Sequence, residues 1–145
     1  MPHLFDAAPR LRTLRLPVSL RDALIAQALA TPELEICGLL GGRDGVATTR
    51  YPLDNVADQP ATSFLIEARG QLRAQRAMRE RGEALVGIYH SHPTTAAVPS
   101  ARDRELAAYP GVAYLIVSLA DRGKPVLGSF VFDGGDFAPL ALEIG

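Results

Sequence analysis

Residues 84–92 read Ala84-Leu85-Val86-Gly87-Ile88-Tyr89-His90-Ser91-His92, and this stretch decides how the rest of the sequence is interpreted. Its first six residues form an apolar run that is typical of a buried strand. Side chains alternate between the two faces of a strand, so we expect His90 and His92 to point in one direction and Ser91 in the other. We therefore expect Ser91 to support or pack against the pair, without a part in chemistry.

A polar segment follows the two histidines and ends in Ser100-Ala101-Arg102-Asp103. Two imidazoles on one face and a nearby carboxylate are ligands that zinc takes in hydrolytic sites, where a fourth position is left for water. The spacing of Ser100 and Asp103 is also typical of a capping box, in which both side chains bind free backbone N–H groups at the start of a helix. A histidine beside a buried strand is, in turn, often a hydrogen-bonded core residue. The working hypothesis is a catalytic metal site.

Four further residues carry groups that could take part in chemistry. Glu35 lies among apolar residues, where an acid costs free energy unless it is paired or protonated, although an exposed strand edge would also explain it. Glu33 is a rival acid that would share its face. Cys37 is expected to be a small buried hydrophobe and not a nucleophile. His3, the third histidine, lies near the N-terminus, away from the other two.

The composition is that of an ordinary globular chain. The 145 residues are 48% hydrophobic and 21% charged, and we expect one domain over residues 1–145. A net charge of -1 provides no field that would attract nucleic acid or an anionic membrane. The single cysteine excludes an internal disulfide and is compatible with a reducing compartment. No segment has the character of a signal peptide or the length of a membrane span, so a cytoplasmic protein is expected.

The periodicity of apolar residues predicts alternating strands and helices. Strands are expected at 11–16, 33–42, 46–53, 62–66, 84–92, 112–119, 125–132 and 137–144, although the signal at the shorter ones is weak. Helices are expected from Ser19, as N-cap, to Thr31-Pro32, then at 68–81 and 100–108. The sequence therefore predicts an α/β (α+β) domain with a central mixed sheet of about six to seven strands flanked by helices.

Together these residues resemble the JAMM motif of the MPN (Mov34/PAD-1) metalloproteases, in its small prokaryotic form. The family pattern is a glutamate, then His-x-His, seven residues, Ser, two residues and Asp, which His90, His92, Ser100 and Asp103 match without adjustment. Several fixed residue types at fixed spacings seldom coincide by chance. The resemblance covers most of the chain and implies the cytidine-deaminase-like MPN fold.

The resemblance also implies roles for individual residues. His90, His92 and Asp103 would bind one Zn²⁺ per chain, Glu35 would act as general base and then as acid, and Ser100 would hydrogen-bond the oxyanion. Glu35 is chosen over Glu33 because the family glutamate lies two residues before the position that Cys37 occupies. A capping role for Ser100 and Asp103 does not exclude a role at the metal.

The expected substrate is a ubiquitin-like or sulfur-carrier protein, cut at its C-terminus by a zinc-dependent peptidase or isopeptidase. A monomer or homodimer without nucleic-acid or membrane partners is expected. Two alternatives stay open: a non-catalytic MPN scaffold that binds protein partners, and a metallohydrolase of a small-molecule amide. Members of the scaffold type usually lack a metal ligand, and this sequence lacks none. A zinc deaminase is disfavoured because its paired cysteines are absent from the sequence.

Overall fold

In the computed structural model, residues 11–145 are described, and His3 lies outside this range. These residues form a mixed sheet with helices on its flanks, as predicted, and the sheet has eight strands. The elements, in chain order, are β1 (Thr13–Leu16), α1 (Val18–Ala30), β2 (Cys37–Arg43), β3 (Val46–Leu53), α2 (Ala68–Glu80), β4 (Ala84–His92), α3 (Ala101–Leu106), β5 (Ala113–Ser118), β6 (Val126–Asp133), β7 (Asp136–Pro139) and β8 (Ala141–Ile144).

The strand order β7-β6-β5-β4-β2-β3-β1-β8 places β4 in the middle of the sheet. β4 pairs antiparallel with β2 on one side and parallel with β5 on the other. A parallel pair needs a crossover connection, which here contains the 93–99 loop and α3. The crossover leaves the sheet directly after His92, so the residues that follow β4 collect at its carboxyl end.

The predicted strand at 137–144 is split in two, which accounts for the additional strand. β7 pairs with β6, whereas β8 pairs with β1 at the other end of the sheet, where Ala141 lies opposite Thr13. Only Leu140 separates β7 from β8, and its N–H donates to the Ser129 carbonyl at 2.9 Å. The sheet therefore curves until its two outer strands meet at this residue.

Apolar side chains cover both faces of the curved sheet. One face packs α1 against the strands, with a core that includes Leu14, Leu24, Leu40, Tyr89 and Leu115. The other face packs α2 through Ala74 and Met78 against Leu39, Ile88 and Tyr114. None of the helices within residues 11–145 is long and apolar enough to cross a membrane.

The β2–β3 hairpin is confirmed, with Asp44 and Gly45 at φ 52° and 75°, the positive values of a tight hairpin turn. The predicted N-cap Ser19 is wrong. α1 begins at Val18, and the Pro17 carbonyl accepts the N–H groups of Leu20 and Arg21.

Two predicted strands are also wrong, in whole or in part. The strand predicted at 33–42 begins only at Cys37, because its neighbour β3 ends opposite that residue at Leu53. Residues 62–66 form no strand beyond the single bridge between Asn55 and Ile66. Both segments are held by side-chain hydrogen bonds, which a hydrophobic pattern does not reveal.

Candidate active site

The end of β4 and the first turn of α3 bring three metal-ligating side chains together. His90 Nε2 lies 3.2 Å from His92 Nε2, and each of these atoms lies 3.1 Å from one oxygen of Asp103. Three ligands of a tetrahedral zinc, each bound at about 2.0–2.1 Å, would be separated by about 3.3 Å. The three predicted ligands therefore form a group that can hold a metal ion, and its spacing and chemistry are consistent with zinc.

The orientation of each imidazole is set from outside the cluster. His92 Nδ1 donates to the Ala96 carbonyl at 2.8 Å; a carbonyl only accepts, so this nitrogen carries a proton, and Nε2 is the nitrogen that faces the cluster. The His90 ring stacks on Phe64 with 4.4 Å between centroids. His90 Nδ1 is buried without a hydrogen-bond partner within residues 11–145. Packing against Phe64 thus orients one ligand and a hydrogen bond orients the other.

Charge in the cluster resides on Asp103. Burial alone would raise the pKa of this carboxyl, but hydrogen bonds from both imidazoles and the Ser100 N–H hold it well below its usual range. Burial lowers the pKa of His90. Burial opposes protonation of His92 as well, but Asp103 and the Ala96 carbonyl outweigh it and raise the pKa of that imidazole. A metal bound by these residues would displace the protons that the imidazoles share with Asp103, because metal ligands must be deprotonated.

Ser100 and Asp103 form the predicted capping box. Ser100 Oγ accepts the Asp103 N–H at 3.0 Å, and Asp103 Oδ2 accepts the Ser100 N–H at 2.9 Å. The same carboxylate faces both imidazoles, so the cap and the cluster coexist on one residue. Ser100 is exposed, and its hydroxyl proton is not used by the cap.

Glu35 is buried beside the cluster, in the irregular segment before β2. Only 5% of the residue is exposed, and its Oε1 has no hydrogen-bond partner within residues 11–145. Burial raises the pKa of its carboxyl to about 7, with His92 opposing and Asp103 reinforcing the shift. By contrast, Glu33 is exposed and lies 3.8 Å from Arg122 Nη2. Only one of the two rival acids therefore lies at the site.

Ser91 and Cys37 lie behind the site. Ser91 Oγ accepts the Ile36 N–H at 2.8 Å, so the side chain points away from the imidazoles and holds the segment that carries Glu35. Cys37 is fully buried, and burial raises the pKa of its thiol to about 12. A thiol in this state is a packing group and not a nucleophile.

A cleft of about 590 Å³ opens next to the cluster, between residues 56–65 and α3. Phe64 contributes to its lining and also contacts His90, which connects the cleft with the candidate ligands. Arg102 and Leu106 line the opposite side. Sequence reasoning missed Phe64, because no local pattern distinguishes it from a core aromatic residue.

Comparisons with known proteins show the family of this chain. The family model described as "Prokaryotic homologs of the JAB domain" matches residues 17–130. A desampylase of Haloferax volcanii is 32% identical over 137 residues, covering 90% of this chain and 96% of that protein. A CysO-cysteine peptidase of Mycobacterium tuberculosis is 35% identical over 116 residues, with 78% and 79% covered. A probable TtuB-protein conjugate cleaving protease of Thermus thermophilus is 37% identical over 103 residues, with 71% and 68% covered.

Solved structures show the same fold. A solution structure of a protein from Desulfitobacterium hafniense has a TM-score of 0.81 and 39% identity, covering 91% of this chain and 92% of that one. A structure described as "JAMM: A Metalloprotease-like Zinc Site in the Proteasome and Signalosome" has a TM-score of 0.55 and 17% identity, with 90% and 97% covered. At that identity the likeness concerns the fold alone.

Proposed function

Because this chain belongs to the family of prokaryotic homologs of the JAB domain and is an isopeptidase of the JAMM type, we propose that it cuts conjugates of a ubiquitin-like or sulfur-carrier protein. The bond would be the peptide or isopeptide bond that follows the C-terminal diglycine of the carrier. A relative named as a probable TtuB-protein conjugate cleaving protease and another named as a CysO-cysteine peptidase support a substrate of this class.

The observation that carries the proposal is the convergence of donors around one point. The Nε2 atoms of His90 and His92 lie 3.2 Å apart, and each lies 3.1 Å from one oxygen of Asp103. The buried Glu35 carboxylate beside them has an oxygen without a partner within the described residues. A structural ion pair would not need a second acid with an unpaired oxygen, since burying such a group costs free energy. A hydrolytic site needs that acid as its base.

In this proposal His90, His92 and Asp103 hold zinc. Zinc bound there supplies Lewis acidity, which lowers the pKa of coordinated water to about 7. Glu35 takes a proton from the attacking water and gives it to the leaving amine, and a pKa of about 7 suits both transfers near neutral pH. The Ser100 hydroxyl donates to the oxygen that becomes negative in the tetrahedral intermediate. Its availability supports this role, because the helix cap uses only its lone pair.

The cleft between residues 56–65 and α3 would hold an extended substrate tail. Glycines have no side chains, so main-chain hydrogen bonds would carry much of their recognition. We propose that the diglycine of the carrier passes beside Phe64 toward the cluster. A cytoplasmic location, where Cys37 would stay reduced, completes the proposal.

The first experiment measures zinc per chain in the purified protein by elemental mass spectrometry, without added metal. We expect about one zinc per chain in the wild type. We expect none in His92→Ala or Asp103→Ala, because a site with three protein ligands loses its affinity for zinc when one of them is removed. A wild-type chain that contains no zinc and takes up none on addition would overturn the proposed metal site. A non-catalytic scaffold would then be the better explanation.

The second experiment tests the base on a carrier-protein fusion, with small amides assayed in parallel. Glu35→Gln is expected to keep its zinc and lose about 10²- to 10⁴-fold in kcat, the usual contribution of a general base. Glu33→Gln is the matched control and should keep wild-type turnover, because Glu33 is exposed beside Arg122. Undiminished activity of Glu35→Gln would exclude this residue as the base.

A further inference from the structure

Asn55, the only asparagine in the sequence, lies just after the end of β3 and uses its whole side-chain amide. Its Oδ1 accepts the N–H groups of Ala57 and Leu65, each at 3.0 Å. Its Nδ2 donates to the carbonyls of Glu35 at 2.9 Å and Ser63 at 3.0 Å. An amide offers two donor hydrogens and two lone pairs, so these four hydrogen bonds fill its capacity.

Three of these four partners belong to residues 56–66, here called the site loop, and the Pro60 carbonyl of the same loop lies 3.5 Å from Nδ2. Phe64 lies between Ser63 and Leu65, whose main-chain groups both bind Asn55. The Phe64 ring in turn stacks on His90, at 4.4 Å between centroids. Asn55 therefore fixes the part of the loop that packs against a candidate metal ligand.

The remaining hydrogen bond of Asn55 reaches the main chain of Glu35. The two backbone groups of Glu35 both bind outside the sheet: its carbonyl accepts from Asn55, and its N–H donates to the Pro60 carbonyl at 2.8 Å. β2 begins only at Cys37, so no strand ladder holds Glu35. The site loop and Asn55 define its position on one side, and the Ser91–Ile36 contacts define it on the other.

We propose that Asn55 is a positioning residue that couples the site loop to the base, so that Glu35 is held toward the metal ligands only while the loop is ordered. The inference rests on the proposed function, since it assigns Glu35 the proton transfer. Its consequence is that a carrier tail that orders the site loop also aligns the carboxylate. A displacement of a catalytic group by about 1 Å costs on the order of 10²-fold in rate.

Two substitutions separate the hydrogen bonds that Asn55 accepts from those that it donates. Asn55→Ala removes every hydrogen bond of the side chain. Asn55→Asp keeps the acceptor for Ala57 and Leu65 but has no N–H to donate to the carbonyls of Glu35 and Ser63. In both variants we expect unchanged zinc content and a kcat lower by about 10²-fold, with a much smaller change in KM. If Asn55 acted only through the N–H groups of Ala57 and Leu65, Asn55→Asp would retain most of the wild-type kcat.

Hydrogen–deuterium exchange provides a readout that does not depend on activity. In Asn55→Ala, peptides that cover residues 33–36 and 56–65 should exchange faster, while those from β4 and β5 should not change. In Asn55→Asp, the amides of Ala57 and Leu65 should keep their protection while residues 33–36 lose it. Unchanged exchange at 33–36 in both variants would overturn the coupling, as would a wild-type kcat in Asn55→Asp.

Gln71→Ala is the matched amide control. Its Nε2 donates to the Tyr109 hydroxyl at 3.0 Å, so this substitution also removes an amide hydrogen bond between two segments, without a contact to Asn55 or Glu35. We expect its kcat and its exchange at 33–36 to equal those of the wild type. If the zinc-loaded wild type cleaves no carrier conjugate, the proposed function fails, and exchange at 33–36 alone decides whether the coupling exists.

Discussion

Ser91 lies between the two candidate histidine ligands in sequence, and its side chain points to the opposite face of β4. Its hydroxyl accepts the Ile36 N–H at 2.8 Å and lies 3.4 Å from the Leu34 carbonyl. These contacts bracket Glu35, so the residue between the ligands holds the chain on both sides of the proposed base. Side-chain alternation in a strand explains how neighbouring residues can support the same site from different faces.

Replacing Ser91 by alanine should lower the free energy of unfolding by about 1–3 kcal/mol, because the Ile36 N–H would lose its partner. Urea denaturation of the protein measures this change. Ser129→Ala is the matched control: its buried Oγ has no hydrogen-bond partner within residues 11–145, so its removal should be near neutral or stabilising. Equal losses in the two variants would contradict the assignment.

Cys37 should resist alkylation in the native protein. Its thiol is fully buried, and burial, reinforced by Asp54 and Glu35, raises its pKa to about 12. The thiolate is the reactive form, and at pH 8 such a pKa leaves about one thiol in ten thousand ionised. Mass spectrometry after iodoacetamide treatment should show labelling in urea and almost none without it, at pH 7 and at pH 9. Rapid labelling of the folded protein would contradict the burial of this thiol.

The candidate ligands were predictable because each is a distinctive chemical type at short spacing. His90, His92 and Asp103 lie within 14 positions of one another on a strand and the helix that follows, and the structure brings all three together. Asn55 and Phe64 were not predictable. Their contacts join segments that are distant in sequence, and neither residue stands in a pattern that local periodicity detects.

At the scale of elements, the 93–99 loop depends on β5 and β6 for its position. The Ser118 hydroxyl donates to the Thr95 carbonyl at 2.6 Å. A Cβ at Gly128 would lie 2.1 Å from the Ala97 carbonyl oxygen, so the loop rests against a strand that has no side chain at that point. The intervening Ala96 carbonyl binds His92. β5 and β6 carry no candidate ligand themselves, but through the 93–99 loop they help to orient His92.

Gly128→Ala should therefore weaken metal binding. The new Cβ would push the Ala97 carbonyl outward and disturb the hydrogen bond from His92 to Ala96, and loss of such supporting contacts typically costs about 10- to 100-fold in metal affinity. Competition with a chromogenic chelator measures the change. Gly123→Ala is the control, since its Cβ would find its nearest neighbour at an ordinary 3.4 Å. Equal affinities in the two variants would refute the role of the loop.

The elements that the sequence predicted well are those whose limits are set locally. The hairpin around Asp44 and Gly45 and the end of α1 before Pro32 depend on residues at the turn itself. The elements that it predicted poorly depend on distant partners. The strand at 137–144 is divided because its partner changes from β6 to β1, and the 33–36 segment leaves the ladder because β3 has already ended.

For the whole molecule, zinc should contribute to folding stability. A ligand that binds only the folded state at 100 times its Kd stabilises that state by about 2.7 kcal/mol. For a chain of this size, chelation should then lower the Tm by roughly 5–10 °C. Differential scanning calorimetry with and without EDTA measures the shift. The Tm of His92→Ala should not change with EDTA. If the Tm of the wild type does not change either, the folded chain holds no metal.

The meeting of the first and last strands has a consequence for protein synthesis. Arg15 and Glu143 form an ion pair across β1 and β8 although 128 positions separate them. At about 5–20 residues per second, a ribosome needs roughly 6 to 26 seconds to make the intervening chain. Until then β1 has only its single register pair with β3, between Arg15 and Val46. The nascent polypeptide therefore carries an unfinished sheet edge throughout this interval, in which chaperones that bind exposed strands can act on it.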